Sequence, residues 1–296
     1  MTFNRNADIS GNKTSRRGRN TAIAGGGIGI GGLVLVLLVG PLFGVDVSGL
    51  LGGGGFEGDQ GSDSSQRRSL DECDTGQDAN ESVDCRMAGS QVVLDDYWSQ
   101  HIDGYIEPTL TIVDGQTSSA CGTASNAVGP FYCPSDQGVY IDPTFFDLMQ
   151  QQFGASAGDL AQLYIVGHEW GHHIQNITGV MSQYPNDGTG PGSNGVRTEL
   201  QADCYAGAWL KDAASLTDPE GREYLKTPTE AELEDALNAA LVVGDDHIQE
   251  MSGFSNPESF THGSSKNRQY WFANGYQNGL GVCDTFDPSV GVDLVS

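Results

Sequence analysis

The chain has 296 residues, of which 39 are acidic and 14 basic, and its formal net charge is −25. This acidic excess argues against a nucleic-acid partner, because binding phosphates requires a basic patch. It also argues against docking on an anionic membrane surface, and a solvated acidic exterior is the simplest explanation of the charge.

The first 45 residues divide by charge. Residues 1–20 carry a net charge of +4, and the 25 residues 21–45 contain no charged side chain. Because a helix of about 20 apolar residues crosses a bilayer, this pattern predicts a cytoplasmic basic tail over 1–20 and a transmembrane helix over 21–45. The positive flank then stays in the cytoplasm and the rest of the chain lies outside. The alternative is a cleaved secretory signal, which usually ends in a small-residue site that this sequence lacks.

Residues 46–70 are rich in glycine, serine, aspartate and glutamine, which predicts a flexible linker. The folded domain is therefore expected over residues 71–296. It contains all six cysteines, an even number that favours up to three disulfides in an oxidising compartment over buried free thiols. Six cysteines allow 15 pairings, and equal spacing favours Cys73–Cys85 and Cys121–Cys133, which leaves Cys204 with Cys283.

Along the domain, apolar periodicity predicts a helix over 82–101 and alternation predicts a strand over 109–113. Two short runs within residues 129–142 predict a hairpin. A helix over 156–178 follows, then a surface loop over 184–195 and a second helix over 196–214. A capping box at Thr229 starts a third helix, and a fourth begins after Ser264 or Ser265.

The sequence His168-Glu169-Trp170-Gly171-His172 lies within the helix predicted over 156–178. Residues four apart share a helix face, so both imidazoles can reach one metal ion. The second helix places Glu199 and Asp203 at the same spacing. A zinc hydrolase site needs three protein ligands and one open position, so we expect His168, His172 and Glu199 to bind Zn²⁺. Asp203 would then orient a ligating histidine.

Four longer motifs occur in order along the chain: F-Y-C-P-S-D-Q-G-V-Y-I-D, H-E-W-G-H-H, E-L-Q-A-D-C-Y-A-G and H-G-S-S-K-N-R. Together they resemble the neutral zinc metallopeptidase family of bacterial, membrane-anchored proteins. They are also similar to the gluzincins, in which a later E-x-x-x-D helix completes the H-E-x-x-H site. The resemblance implies one Zn²⁺ per chain on His168, His172 and Glu199, with Glu169 catalytic.

The expected function is peptide hydrolysis by a zinc-activated water, with Glu169 as general base. Four residues are candidates for stabilising the oxyanion: His262, Tyr140, Tyr205 and Arg268. We favour His262, although it can equally be a structural histidine that caps the fourth helix. Arg268 is expected to pair with a carboxylate such as Asp245 or Asp246.

The hairpin suggests a substrate site, because zincin folds receive a peptide as an added strand beside the metal. We therefore expect Val139, Tyr140 and Ile141 to form an edge strand near the zinc. The fold class expected is α+β, a zincin-like, mainly helical domain with a small sheet after one transmembrane helix.

The expected partners are a peptide or protein substrate and the membrane; the oligomeric state stays open. Two other functions use the same residues, namely a non-catalytic, zinc-stabilised interaction module and a zinc amidase acting on cell-wall peptides. Glu169 argues against the first, since a purely structural zinc site has no use for it. The sequence does not separate the second from proteolysis.

Overall fold

The computed structural model describes residues 1–18, 68–156 and 158–292, which form an α+β fold, as predicted. The strands are β1 (Ser15–Gly18), β2 (Arg68–Ser69), β3 (Thr109–Asp114), β4 (Gln116–Ser119), β5 (Gly122–Ser125), β6 (Phe131–Cys133) and β7 (Gly138–Ile141). The helices are α1 (Gly76–Glu81), α2 (Val83–His101), α3 (Thr144–Phe153), α4 (Asp159–Ile177), α5 (Val180–Gln183), α6 (Asn194–Asp212), α7 (Glu230–Val242), α8 (Asp245–Glu250) and α9 (Ser265–Asn278).

Five strands form one sheet in the order β2-β1-β3-β7-β6. β1, β3 and β7 run parallel, whereas β2 and β6 pair antiparallel to their neighbours. Alternation along the strands gives the sheet two buried faces. Ile112 and Val139 point into the main core with the helices, while Val113 and Tyr140 contact a second cluster that includes Ala124 of β5.

The predicted hairpin is present as β6 and β7, but Val139, Tyr140 and Ile141 do not form an edge strand. They lie on β7, which pairs with β3 on one side and β6 on the other, and all three side chains are buried. The prediction is wrong because β3, distant in sequence, occupies the side expected to be free. The edge of the sheet at this end is β6.

Residues 1–18 belong to the same folded unit as the metal-binding helices. β1 extends the sheet beside β3, and Phe3 and Ile9 are buried in the main core. The structure leaves room for this segment, because a Cβ on Gly89 would lie 2.8 Å from the Phe3 ring. The predicted separation of a basic tail over 1–20 from a domain over 71–296 therefore does not hold for residues 1–18.

Among the described residues, no helix is long and apolar enough to cross a membrane. The transmembrane helix predicted over 21–45 lies outside them, and so do residues 46–67 of the predicted linker. The predicted end of the linker at residue 70 is wrong, because β2 occupies Arg68–Ser69 and Leu70 is buried.

All three disulfides favoured by spacing are present, Cys73–Cys85, Cys121–Cys133 and Cys204–Cys283. The third joins α6 to the C-terminal segment, and α6 also packs closely on α9. A Cβ on Gly275 of α9 would lie 2.0 Å from the carbonyl oxygen of Cys204, so the backbones of the two helices are in contact. This packing fixes the position of α6, the helix that carries Glu199.

Candidate metal centre

The predicted motif helix is α4, and it places His168 and His172 on one face. Their ring centroids are 4.7 Å apart, with the rings nearly perpendicular. Both Nε2 atoms face Glu199 of α6, at 3.1 Å from His168 to Oε2 and 3.5 Å from His172 to Oε1. The structure therefore brings together the three residues that the sequence predicted as ligands.

Two helices can approach this closely because α4 has a glycine at the crossing point. A Cβ on Gly171 would lie 2.9 Å from the Cα of Ala202 and 3.2 Å from its carbonyl oxygen. Real Cβ atoms do not approach backbone so closely, so only glycine allows this helix separation. Glu199, one turn before Ala202, thereby reaches both histidines.

The donor set suits zinc. Two imidazole nitrogens and one carboxylate oxygen lie within 4.8 Å of one another, the one such group of histidine, cysteine or acidic residues in the part of the chain described. Zinc takes these ligand types, and three of them leave a coordination position for water or substrate. His172 and Glu199 are only partly buried, so the site is not fully enclosed by protein.

The charge of the ligand carboxylate is secured by its neighbours. Burial raises the pKa of Glu199, but His172, His262 and the hydrogen bond from His168 outweigh it and hold the pKa well below its usual value. Glu199 is thus an anion in the metal-free protein and can serve as a charged ligand.

Asp203 contacts His168, the residue it is expected to orient. The Nδ1 of His168 lies 2.8 Å from Oδ1 of Asp203. Burial raises the pKa of Asp203, but Arg268 and His168 lower it to about 2, so the carboxylate can only accept. The proton of His168 therefore sits on Nδ1 in the metal-bound tautomer, which leaves Nε2 to face Glu199 and the metal position.

Comparisons with known proteins agree with this geometry. The family model described as "Putative neutral zinc metallopeptidase" matches residues 3–286. The chain belongs to this family. The family predicted from the four motifs is thus confirmed, and the match supports a zinc peptidase at the family level. No solved structure gives a significant match.

The relatives of this zinc metallopeptidase family member have no assigned activity. Uncharacterized protein Rv2575 of Mycobacterium tuberculosis is 46% identical over 220 residues, which are 73% of this chain and 75% of the relative. Uncharacterized protein YpfJ of Escherichia coli strain K12 is 37% identical over 278 residues, 88% of each chain. An uncharacterized protein of Mycobacterium bovis is similar to the same extent as Rv2575.

His262 lies on the turn before α9, close enough to Glu199 for the charges of the two groups to interact. Its Nδ1 is 3.3 Å from Oδ1 of Asp245, whose Oδ2 also accepts the backbone N–H groups of Thr261, His262 and Gly263. His262 does not cap α9, because the Ser264 side chain does so. Burial lowers the pKa of His262, but the charges of Glu199 and Asp245 outweigh it and raise the pKa.

Arg268 pairs with a different carboxylate from those expected. Its Nε and Nη2 atoms each donate to Asp203 at 2.8 Å, rather than to Asp245 or Asp246. The expected partners are occupied elsewhere. Asp245 accepts the backbone N–H groups before α9, and Asp246 accepts the N–H and hydroxyl of Ser265.

The remaining sequence candidates have other contacts. Tyr140 donates its hydroxyl to Asp136, and Tyr205 packs edge-on against Trp98. His173, excluded as a ligand by its rotation on the helix, lies close to the Tyr132 hydroxyl and the Ile106 carbonyl instead. Cys204 is held in a disulfide.

Two further residues contact the metal-ligand shell and were not predicted from the sequence. The Oε1 of Gln175 lies 2.9 Å from Nδ1 of His172, and Gln175 is itself held by its amide N–H groups on the Thr198 carbonyl and on Gln201. The spacing of three residues from His172 was the available signal for Gln175. Tyr164 donates to Asp203 at 2.6 Å, and its spacing of four residues from His168 was a similar signal.

Proposed function

We propose that this protein is a zinc-dependent peptidase in which His168, His172 and Glu199 hold one Zn²⁺ and Glu169 is the general base. One observation carries the proposal. A complete set of three zinc ligands lies together with two of its members only partly buried, and a carboxylate that is not a ligand follows directly after His168 on the same helix. A structural zinc site uses four protein ligands and has no role for Glu169.

When bound, zinc polarises a carbonyl group and lowers the pKa of water at its open position. Glu169 is buried, and its side chain makes no hydrogen bond or ion pair with the described residues. Such a carboxylate is available to take the proton of the attacking water and to pass it to the leaving amine. Glu169 thus differs from Glu199, whose two oxygens both face the histidines.

His262 is the donor that we propose for the oxyanion. Asp245 engages its Nδ1, so Nε2 is the nitrogen left to donate to a substrate. A hydrogen-bond donor aimed at developing negative charge contributes about 3–4 kcal/mol to transition-state stability in comparable sites. Asp245 holds the backbone on both sides of His262 and thereby fixes the position of the ring.

We further propose that the peptide substrate lies along β6 rather than β7. β6 is at the sheet edge, so one row of its backbone groups pairs with no strand of the described residues, and an added strand would pair there. Its Tyr132 side chain contacts His173 and Asn176 of α4, close to His172 in sequence. This arrangement supports the zincin-like architecture expected from the sequence, with an edge strand beside the metal helix.

We propose an extracytoplasmic location on the basis of the three disulfides, since such bonds persist in oxidising compartments. Membrane anchoring through residues 21–45 stays a prediction. We do not retain the cytoplasmic placement of residues 1–18, because they pack into the sheet and core of the metal domain. A single crossing between two parts of one folded unit would separate them.

Cleavage of a peptide library by the purified full chain, with and without a chelator, tests the proposed function. Shorter chains that begin near residue 71 are unsuitable, since they lack β1 and Phe3. We expect peptide cleavage that the chelator abolishes and added zinc restores. Including cell-wall peptides in the library distinguishes a peptidase from an amidase of that class, and cleavage that ignores the chelator would contradict a zinc mechanism.

A further inference from the structure

A buried arginine lies behind the metal centre. Arg268, on α9, is 4% exposed, and its guanidinium donates two parallel hydrogen bonds of 2.8 Å to the fully buried carboxylate of Asp203. A two-bond fork fixes the plane of a carboxylate as well as its position. Arg268 therefore determines the direction in which Oδ1 and Oδ2 of Asp203 point.

The same carboxylate determines the orientation of a metal ligand. Oδ1 of Asp203 lies 2.8 Å from Nδ1 of His168, whose Nε2 faces Glu199. Two further groups donate to Oδ1, namely Nη2 of Arg268 and the neutral hydroxyl of Tyr164. Because the imidazole ring is rigid, a rotation of the Asp203 carboxylate would turn Nε2 of His168 away from the metal position.

Arg268 also contacts the opposite side of the centre. Its Nη1 donates to the carbonyl oxygen of Val243 at 3.1 Å. Val243 directly follows α7 and is two residues before Asp245, which contacts His262. One guanidinium thus joins the residue that orients a metal ligand to the segment that holds the proposed oxyanion donor.

We infer that Arg268 is a positioning residue that sets the orientation of His168 through Asp203 and thereby the zinc affinity of the site. This inference rests on the proposed function for its biological purpose, but its prediction concerns metal binding alone. A merely structural ion pair would change folding stability with or without metal. A positioning role changes the affinity for the metal and the geometry of its coordination.

The test compares zinc dissociation constants of the full chain and of Arg268→Lys, measured by competition with a chelator. Lysine keeps the charge but cannot form the planar fork. We expect zinc binding to weaken about 10- to 100-fold, the usual effect of losing a partner of a metal ligand. Replacing zinc by Co²⁺ should also give a shifted visible absorption spectrum. Arg222→Lys is the control, because Arg222 likewise donates to a buried aspartate, Asp218, but is itself 40% exposed and forms ion pairs only with Asp218 and Glu220 among the described residues.

A second comparison shows whether Arg268 acts through Asp203. In an Asp203→Asn background, Arg268→Lys should change zinc affinity by less than about twofold, since the orienting contact is already altered. Tyr164→Phe, which removes the neutral donor to Oδ1, should cost less than Arg268→Lys. Equal losses in both backgrounds, or zinc binding by Arg268→Lys within about twofold of the original chain, would overturn the inference.

Failure of the inference and failure of the proposed function are distinguishable. If the original chain binds zinc and cleaves no peptide, the proposed function fails and the affinity comparison still tests Arg268. If the chain cleaves peptide and Arg268→Lys binds zinc normally, only the inference fails. A variant that stays unfolded even with excess zinc would assign Arg268 to folding and would also reject the inference.

Discussion

His168 shows how neighbouring charges prepare a metal ligand. In the metal-free protein burial lowers its pKa, but Asp203 and Glu199 outweigh burial and raise the pKa to about 9. Below that pH the metal-free ring is an imidazolium, whereas zinc requires a neutral ring nitrogen. Zinc must therefore displace a proton from Nε2, because Nδ1 keeps its own proton and donates it in a hydrogen bond to Asp203.

Zinc binding at pH 7 should release at least one proton per site. As the pH falls from about 8.5 to about 6.5, this ligand alone should weaken zinc binding about tenfold per unit. Calorimetry in buffers of different ionisation enthalpy measures the proton release. Asp203→Asn is the control, because without that carboxylate the pKa of His168 is raised less and fewer protons should be released. Zinc binding without proton release would contradict the charge arrangement described.

The α4–α6 crossing is the element on which the ligand set depends. Gly171→Ala places a Cβ 2.9 Å from the Cα of Ala202, and a backbone atom cannot move aside as a side-chain end can. We expect this change to cost about 1–3 kcal/mol of folding stability and to weaken zinc binding by moving Glu199 away from the histidines. Thermal unfolding and chelator competition measure the two effects.

Gly281→Ala serves as the matched control for that experiment, because a Cβ there meets nothing within 4 Å. It should leave both stability and zinc affinity close to those of the original chain. If Gly171→Ala behaves like this control, close helix contact is not what brings Glu199 to the metal position.

The position of β6 at the end of the sheet leads to a prediction about substrates. Once a cleaved peptide is known, single N-methyl groups can be placed on its backbone away from the cleaved bond. At positions that pair with β6, methylation removes a donor to the strand, and we expect kcat/KM to fall about tenfold per lost bond. Methylation that is tolerated at every such position would show that the peptide does not bind as an added strand.

The sequence predicted elements that depend on neighbouring residues, but it did not predict contacts between residues far apart in the chain. The α4 and α6 helices, the α7 capping box and the Ser264 cap depend on residues within a few positions of one another, and each agrees with the prediction. The interior position of β7 depends on β3, and the Arg268–Asp203 pair joins residues 65 positions apart. No short-range signal encodes either contact. α1 and the β4–β5 hairpin were missed where the polar and glycine-rich sequence resembles loops. α3 was missed although Phe145, Phe146 and Met149 recur at helical spacing.

At the scale of the whole molecule, the fold predicts that residues 1–18 and the metal centre share one compartment. This follows from the parallel pairing of β1 with β3 and from the burial of Phe3 and Ile9. The positive charge of residues 1–20 suggested a separate cytoplasmic tail, but part of that charge is used within the fold. Arg16, for example, forms an ion pair with Asp84 of α2.

Cysteine labelling in intact cells tests this shared compartment. Gly11→Cys and Ser99→Cys place exposed thiols on the N-terminal segment and on α2, and a Cβ at Gly11 meets nothing within 4 Å. A membrane-impermeant maleimide should label both variants to the same extent. Labelling of Ser99→Cys alone would place residues 1–18 across a membrane from the domain and would contradict the fold.

Glu169 gives the most direct test of the account as a whole. Glu169→Gln in the full chain should bind one zinc as tightly as the original chain and lose peptide turnover by about 100- to 10,000-fold, the usual contribution of a general base. Glu250→Gln, an exposed change of the same kind, should keep full turnover. Zinc content and cleavage rate are measured on the same samples. Undiminished cleavage by Glu169→Gln would contradict the proposed mechanism.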